Sequence, residues 1–383
     1  MPSDHALLSP SSAKRWINCP ASIALSAGVP EPPESPYAAE GTLAHAVAES
    51  KLRMLSGEIT PAQHKAQMEE FRKSEYWCGE MDEATDFYAD TVMERLAASG
   101  DDAELMVEQQ LDLNAWAPES FGTSDAVIIG GSTIEVIDLK YGKGVKVDAP
   151  GNPQLRLYAL GAAALFGDIY DFDTARYTII QPRLSHISTE EIPLDELMRW
   201  GETEVAPRAK EAFEGSERLS CGDWCRWCPV SVRCRALAEY NLSVAKDEFK
   251  NPALLTDEEI GEILGRAGEL KSWVDAVQAW TLDQALKGRH FDGWKLVEGR
   301  SVRQYADALK VADALKAAGY DEAMLYERKL YGITAMEKLV GKKKLTETLG
   351  ELIIKPAGKP VLVPESDKRE AINSAAADFE KEN

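Results

Sequence analysis

The spacing of apolar residues divides the chain into a helical N-terminal part, an alternating α/β centre and a second helical region. Residues 9–26, SPSSAKRWINCPASIALS, predict one short helix with Ser9, Ser11 or Ser12 as its cap, then a loop, GVPEPPESP. From Tyr37 to about Ser99, Ala, Glu, Met and Leu recur at helical period with a break near SGEITPAQ, predicting two or three helices. Three strands follow: ELMVEQQLD at 104–112, SDAVIIGG ending in a Gly130-Gly131 turn, and the β-branched TIEVIDLKYG. NPQLRLYALGAAALFG predicts a helix with Pro153 near its start, and ARYTIIQPR a strand. Residues 186–213 predict a short strand leading into a long helix. Residues 256–288 carry a helical pattern, with Thr256 and Glu259 spaced as a capping box. The later segments WKLVEGRSVRQY, DALKVADALKAAGY and GITAMEKLVGKKKLTETLGELI predict a small α+β appendage. This order implies an α/β core over 37–245, preceded by an N-terminal segment, 1–36. An accessory domain, 246–365, and a frayed tail, 366–383, follow.

Charge narrows the choice of partners. Among 383 residues, 43 Lys and Arg face 64 Asp and Glu, for a net charge of −21. That balance excludes a protein that coats nucleic acid through bulk charge; contact with DNA needs a local basic channel or metal ions. No run approaches the ~20 apolar residues of a membrane span. The first residues lack a basic start followed by an apolar stretch. A cytoplasmic protein is expected, neither secreted nor membrane-bound.

The cysteines add chemistry. Cys221, Cys225, Cys228 and Cys234 lie together in CGDWCRWCPVSVRC, with Cys19 and Cys78 apart. Without export signals, such clustering points to metal or iron–sulfur ligation before disulfides. Two arrangements stay open: Cys19 joining the later cysteines, or a local zinc knot of Cys221, Cys225, Cys228 and Cys234 with Cys19 a buried thiol. Cys78, after Tyr76-Trp77, reads as a core thiol.

A second constellation lies on the strands. Asp138 and Lys140, two apart, project on one face of their strand, and a hairpin pairing brings Asp125 beside Asp138. Two close carboxylates repel unless a divalent cation lies between them. A neighbouring lysine can then orient or deprotonate a water, or steady charge on a phosphate. The plainer alternative is a surface ion pair at a strand edge, but IEVID is apolar enough for an inner strand. His45 and Glu49 share a helix face at i, i+4, as do Gln154 and Tyr158. Imidazole and carboxylate suit manganese or magnesium sites; equally, a lone His or Gln is often only solvated.

The order G-T-x-x-H, G-T-S-D, D-x-K, Q-x-x-x-Y resembles the PD-(D/E)XK nuclease superfamily, in particular its RecB-like and AddB-like branch, which includes the CRISPR-adaptation nucleases. The resemblance implies a restriction-endonuclease-like core, a mixed central sheet flanked by helices. It implies that His45, Asp125, Asp138 and the Leu139 carbonyl hold Mg2+ or Mn2+, that Lys140 is catalytic, and that Gln154 and Tyr158 support the site. Asp stands at 138 where Glu is commoner. Iron–sulfur members of the branch carry one cysteine before the core and three after it. Cys19 and Cys225-x2-Cys228-x5-Cys234 fit that order, implying a [4Fe–4S] cluster that staples the N-terminal helix to the end of the core. Cys221 has no counterpart in that spacing.

The whole chain also resembles a phage-associated family of such nucleases, through GWKLVEGRSVRQY and KPVLVPESDKREAI among other segments. This implies DNA end-resection for recombination, beside a single-strand annealing partner and in a bacterial host cytoplasm. The expected activity is a metal-dependent deoxyribonuclease, an exonuclease. The competing readings are a non-catalytic DNA-end or partner-binding module that keeps the fold, and a redox or sensing protein in which the cluster is the function. Lys295, Arg300 and Arg303, within 293–305, can touch DNA or simply form a solvated hairpin, and Lys342–Lys344 read as a solvated helix end.

Overall fold

The computed structural model describes residues 6–30, 35–247 and 257–295, with single positions further on. The chain divides into two compact units, Met1–Thr281 and Leu282–Asn383; the division falls inside the segment assigned above to the accessory domain. In the second unit the described residues are chiefly the end of a helix and the turn after it, where Lys287 pairs with Asp283 at 2.8 Å. Thr256, Arg300, Arg303 and the tail lie outside the described residues, as do most of the appendage segments.

In the first unit, α1 (Ala13–Asn18) and α2 (Ala21–Ser26) stand where one helix was expected. Pro20 is the reason: it supplies no amide proton and pushes Cys19 out of helical geometry, to φ −130°, ψ 77°. None of Ser9, Ser11 and Ser12 caps through its side chain; the Ser9 hydroxyl instead donates to Ser12 Oγ at 2.9 Å. Three helices follow, α3 (Pro36–Leu55), α4 (Pro61–Phe71) and α5 (Gly79–Ala98). Thr60 and Gln63 form a reciprocal capping box at the start of α4, which explains the break seen in the pattern.

The strands are β1 (Glu104–Asp112), β2 (Phe121–Gly130), β3 (Thr133–Leu139), β4 (Thr174–Gln181) and β5 (His186–Pro193), hydrogen-bonded in that order. All neighbours are antiparallel except β3 and β4, which run parallel and are joined through α6 (Pro153–Phe166). The β2–β3 turn falls on Gly131-Ser132, one residue later than expected, with Gly131 at φ 57°. The long helix after β5 is interrupted: α7 (Leu194–Trp200) widens into a π turn at Gly201–Val205 before α8 (Ala206–Glu214). Close packing accompanies it, since a side chain at Gly201 would meet the Trp116 ring at 2.8 Å. Two further helices, α9 (Arg235–Asp247) and α10 (Asp257–Leu286), follow the cysteines.

Period-two alternation feeds two cores. Val127, Ile129, Ile134, Val136 and Ile179 pack with α6, α8 and Trp16 of α1 on one face of the sheet. Ala126, Ile128, Ile137, Leu139 and Ile180 pack with Ala48 and Leu52 of α3 and Tyr88 and Val92 of α5 on the other. Glu135, buried on the α5 side, is satisfied by Arg95 at 2.7 Å and by the Thr178 hydroxyl. Trp16 is fully buried and its indole donates to Ser9 O at 3.1 Å, so the N-terminal segment belongs to the main core. Trp16→Ala is expected to lower the stability of this unit by about 3 to 5 kcal/mol, read as an earlier urea transition. An unchanged midpoint would mean that the segment is not docked in solution.

Candidate functional site

The C-terminal end of β3 is where the predicted residues meet. Asp125 of β2 accepts from the Leu139 amide at 2.6 Å, and His45 Nδ1 of α3 lies 3.1 Å from its other oxygen. One strand further on, Glu108 of β1 stands opposite Asp125, the register running unbroken on either side of the pair. Glu108 has φ 52°, a left-handed backbone that is costly for a non-glycine residue and clusters at functional sites. His45, Glu108 and Asp125 each present a ligand atom within 4.8 Å of the others, the one such group among the described residues. The sequence reading missed Glu108. An acidic residue in mid-strand was the available signal, but β1 is registered on β2 through the turn at 113–120, which spacing does not reveal.

Asp138 and Lys140 lie beside this cluster on the α6 side. Lys140 Nζ is 2.8 Å from Asp138 Oδ2 and donates to Gln154 Oε1 at 3.1 Å. The Gln154 amide donates in turn to Asp138 Oδ1 at 3.2 Å and to the Tyr158 hydroxyl at 3.4 Å. Asn152 caps α6 through the amides of Gln154 and Leu155, which fixes where that helix starts and so where Gln154 points. A side chain at Gly122, in the G-T-S-D segment, would come within 2.8 Å of the Tyr158 ring, so glycine there makes room for the tyrosine. Asp138 is outside the three-residue group; its direct partners are Lys140 and Gln154. Glu49 pairs with Arg53 at 2.8 Å and lines the pocket that holds His45 and Glu108.

Electrostatics reflects the crowding of acids. Burial and the neighbouring charges of Asp125 and Glu49 push the Glu108 carboxyl up to about 7. Burial opposes charging His45, but the Asp125 carboxylate outweighs it and raises the imidazole to about 9. Burial also lifts Asp138, with Lys140 opposing. Lys140 itself is raised: burial works against its charge, and Asp138 and Asp125 more than offset that. At this site, two buried oxygens lack a hydrogen-bond partner among the described residues: Tyr88 Oη, beside the three-residue cluster, and Asp138 Oδ2, which has only the charge of Lys140. One imidazole, two close carboxylates and orphaned oxygens suit a hard divalent cation. Glu108→Gln is expected to weaken Mn2+ binding about 10- to 100-fold in calorimetry. In the unaltered protein, binding should tighten from pH 6 to 9, because Glu108 and His45 must first lose their protons. Equal affinity for the variant would remove Glu108 from the site.

The second candidate site joins the N-terminal segment to the turns that follow α8. Cys19, Cys221, Cys225, Cys228 and Cys234 line one pocket. Ala21 N–H donates to Arg218 O at 3.3 Å, and Lys14 pairs with Asp223 across the same seam. Burial and the neighbouring thiols push Cys221 up to about 12, and Cys225 and Cys228 are raised for the same reasons. Among the described residues, no three of these sulfurs lie within 4.8 Å of one another. Cys78 packs elsewhere, beside Tyr141.

The fold and site together describe an α/β protein: a mixed five-stranded sheet flanked by helices, with a carboxylate–imidazole cluster at one end. No helix among the described residues is long and apolar enough to cross a membrane. The family described as "Protein of unknown function (DUF2800)" matches residues 5–370, and the chain belongs to that family. The crystal structure of SSO0001 is similar at 17% identity and a TM-score of 0.24, over 59% of this chain and 96% of that one, too slight a likeness to carry an argument.

Proposed function

We propose that the chain is a metal-dependent deoxyribonuclease of PD-(D/E)XK type that shortens DNA from its ends in phage-type recombination, working beside a single-strand annealing protein. The observation that carries this reading is the junction of the His45–Glu108–Asp125 group with the Asp138–Lys140–Gln154 network at the end of β3. His45, Glu108 and Asp125 would hold Mg2+ or Mn2+, with Asp138 and the Leu139 carbonyl adjoining. A cation bound there supplies an acidified water and offsets phosphate charge. Lys140, kept charged by two carboxylates, is fitted to stabilise negative charge on the phosphate rather than to accept a proton. Gln154 holds the lysine and Asp138 in place, and Tyr158 holds Gln154.

The cysteine pocket is assigned to a structural [4Fe–4S] cluster on Cys19, Cys225, Cys228 and Cys234. What supports it is that Cys19 of the N-terminal segment shares one pocket with the later cysteines, a ligand set that a purely local knot would not need.

The test incubates end-labelled single- and double-stranded linear DNA anaerobically with Mg2+ or Mn2+, wild type beside Asp138→Ala. Shortening by wild type alone supports the nuclease and gives its polarity. No shortening by either, with the cluster intact, overturns it in favour of a DNA-end binding module.

A further inference from the structure

A groove of about 480 Å3 runs between the cysteine turns, α9 and α10, apart from the carboxylate site. Its walls include Arg226, Tyr240 and Trp273, and Gly265 and Gly268 present no side chain along part of the α10 wall. Arginines stack on aromatic rings around it: Arg266 lies 4.6 Å over Tyr240, and Arg226 lies 5.1 Å over Trp227. Trp227 is 75% exposed, an unusual state for the largest apolar side chain. Arg226 has no carboxylate partner among the described residues; the nearby Asp223 is already engaged by Lys14. Glu269 is the acidic residue of the α10 wall. Arg266 donates to the Tyr240 carbonyl at 3.2 Å and also has no carboxylate partner among the described residues. On a chain of net charge −21, an arginine without a carboxylate partner among the described residues, beside a largely exposed indole, marks a place where negative charge and flat rings are accepted together.

We propose that this groove binds single-stranded DNA, with bases stacking on Trp227 and Tyr240 and with Arg226 and Arg266 contacting phosphates. Charge complementarity and stacking single out an unpaired strand, because in a duplex the base faces are covered by their neighbours. The proposal rests on the reading that DNA is the substrate, and would give the cysteine module a substrate-holding role. The groove does not depend on the carboxylate site, so binding can be measured with cleavage silenced.

The experiment measures fluorescence anisotropy of a labelled oligo-dT strand with full-length protein in EDTA, across a salt series. Trp227→Ala and Arg226→Ala should each weaken binding about tenfold, by loss of a stacked base or a phosphate contact. Arg226→Ala should also reduce the slope of log affinity against log salt by about 0.7. Trp227→Phe, which keeps a ring, should restore most of the affinity. All three variants are judged against unchanged circular dichroism. Variants that bind as tightly as wild type overturn the proposal and leave the nuclease reading intact. A wild type that degrades DNA but shows no strand binding in EDTA has the same meaning. Absence of both binding and cleavage overturns the two readings together.

Discussion

Asp138→Ala and Lys140→Ala should each lower cleavage of linear DNA by about a thousandfold or more, the range for removing a preorganised charge from an active site. Their effects on stability should differ. Asp138 is buried with its carboxylate against the Lys140 ammonium. Removing the acid leaves a largely enclosed ammonium with Gln154 as its remaining support, at a cost of about 3 to 5 kcal/mol. Removing the lysine costs less, because burial already raises the Asp138 pKa and the acid can take up a proton. The double variant should therefore be more stable than Asp138→Ala alone, while remaining inactive. Thermal unfolding and a cleavage assay on the three variants check this. Cleavage retained in both single variants would sink the catalytic assignment.

Cys225→Ser should remove the visible absorbance of the anaerobically prepared protein and lower its melting temperature by about 10 °C or more. The expected cause is loss of the link between the N-terminal segment and the turns that follow α8. Trypsin should then cut near Lys14 and Arg15, where α1 would no longer be pinned. Cys19→Ser should reproduce the effect and Cys221→Ser should not, because Cys221 is the extra thiol in the pocket. A colourless wild type that carries one zinc, lost on Cys221→Ser and kept on Cys19→Ser, would replace the cluster with the local knot.

Local signals made most of the sheet legible. The β-branched runs at 126–129 and 134–139 and the Gly131 turn define a hairpin without tertiary information, and the hairpin places Asp125 near the end of β3. Gln154 and Tyr158 follow from helical spacing after a proline start. Features that depend on contacts between distant segments were not legible. Glu108 joins His45 and Asp125 only through the register of β1 on β2 and a left-handed residue within the strand. The π turn at Gly201–Val205 sits against Trp116, a neighbour that no local pattern reveals. The break at Cys19-Pro20 was visible in the residues, yet helical spacing on both sides hid it. The gathering of Cys221 with the other four thiols depends on α1 and the turns after α8 coming together.

That last closure has a consequence for synthesis. Lys14 and its partner Asp223 are 209 residues apart. At roughly 5 to 20 residues per second, about 10 to 40 seconds pass between the two emerging from a ribosome. Through that interval α1 has no cysteine turns to dock on, and Trp16 must be shielded by the growing core or by a chaperone. Closure of the thiol pocket thus marks a nascent chain that has been read through to residue 234, and chains released earlier would expose an apolar N-terminus to proteolysis.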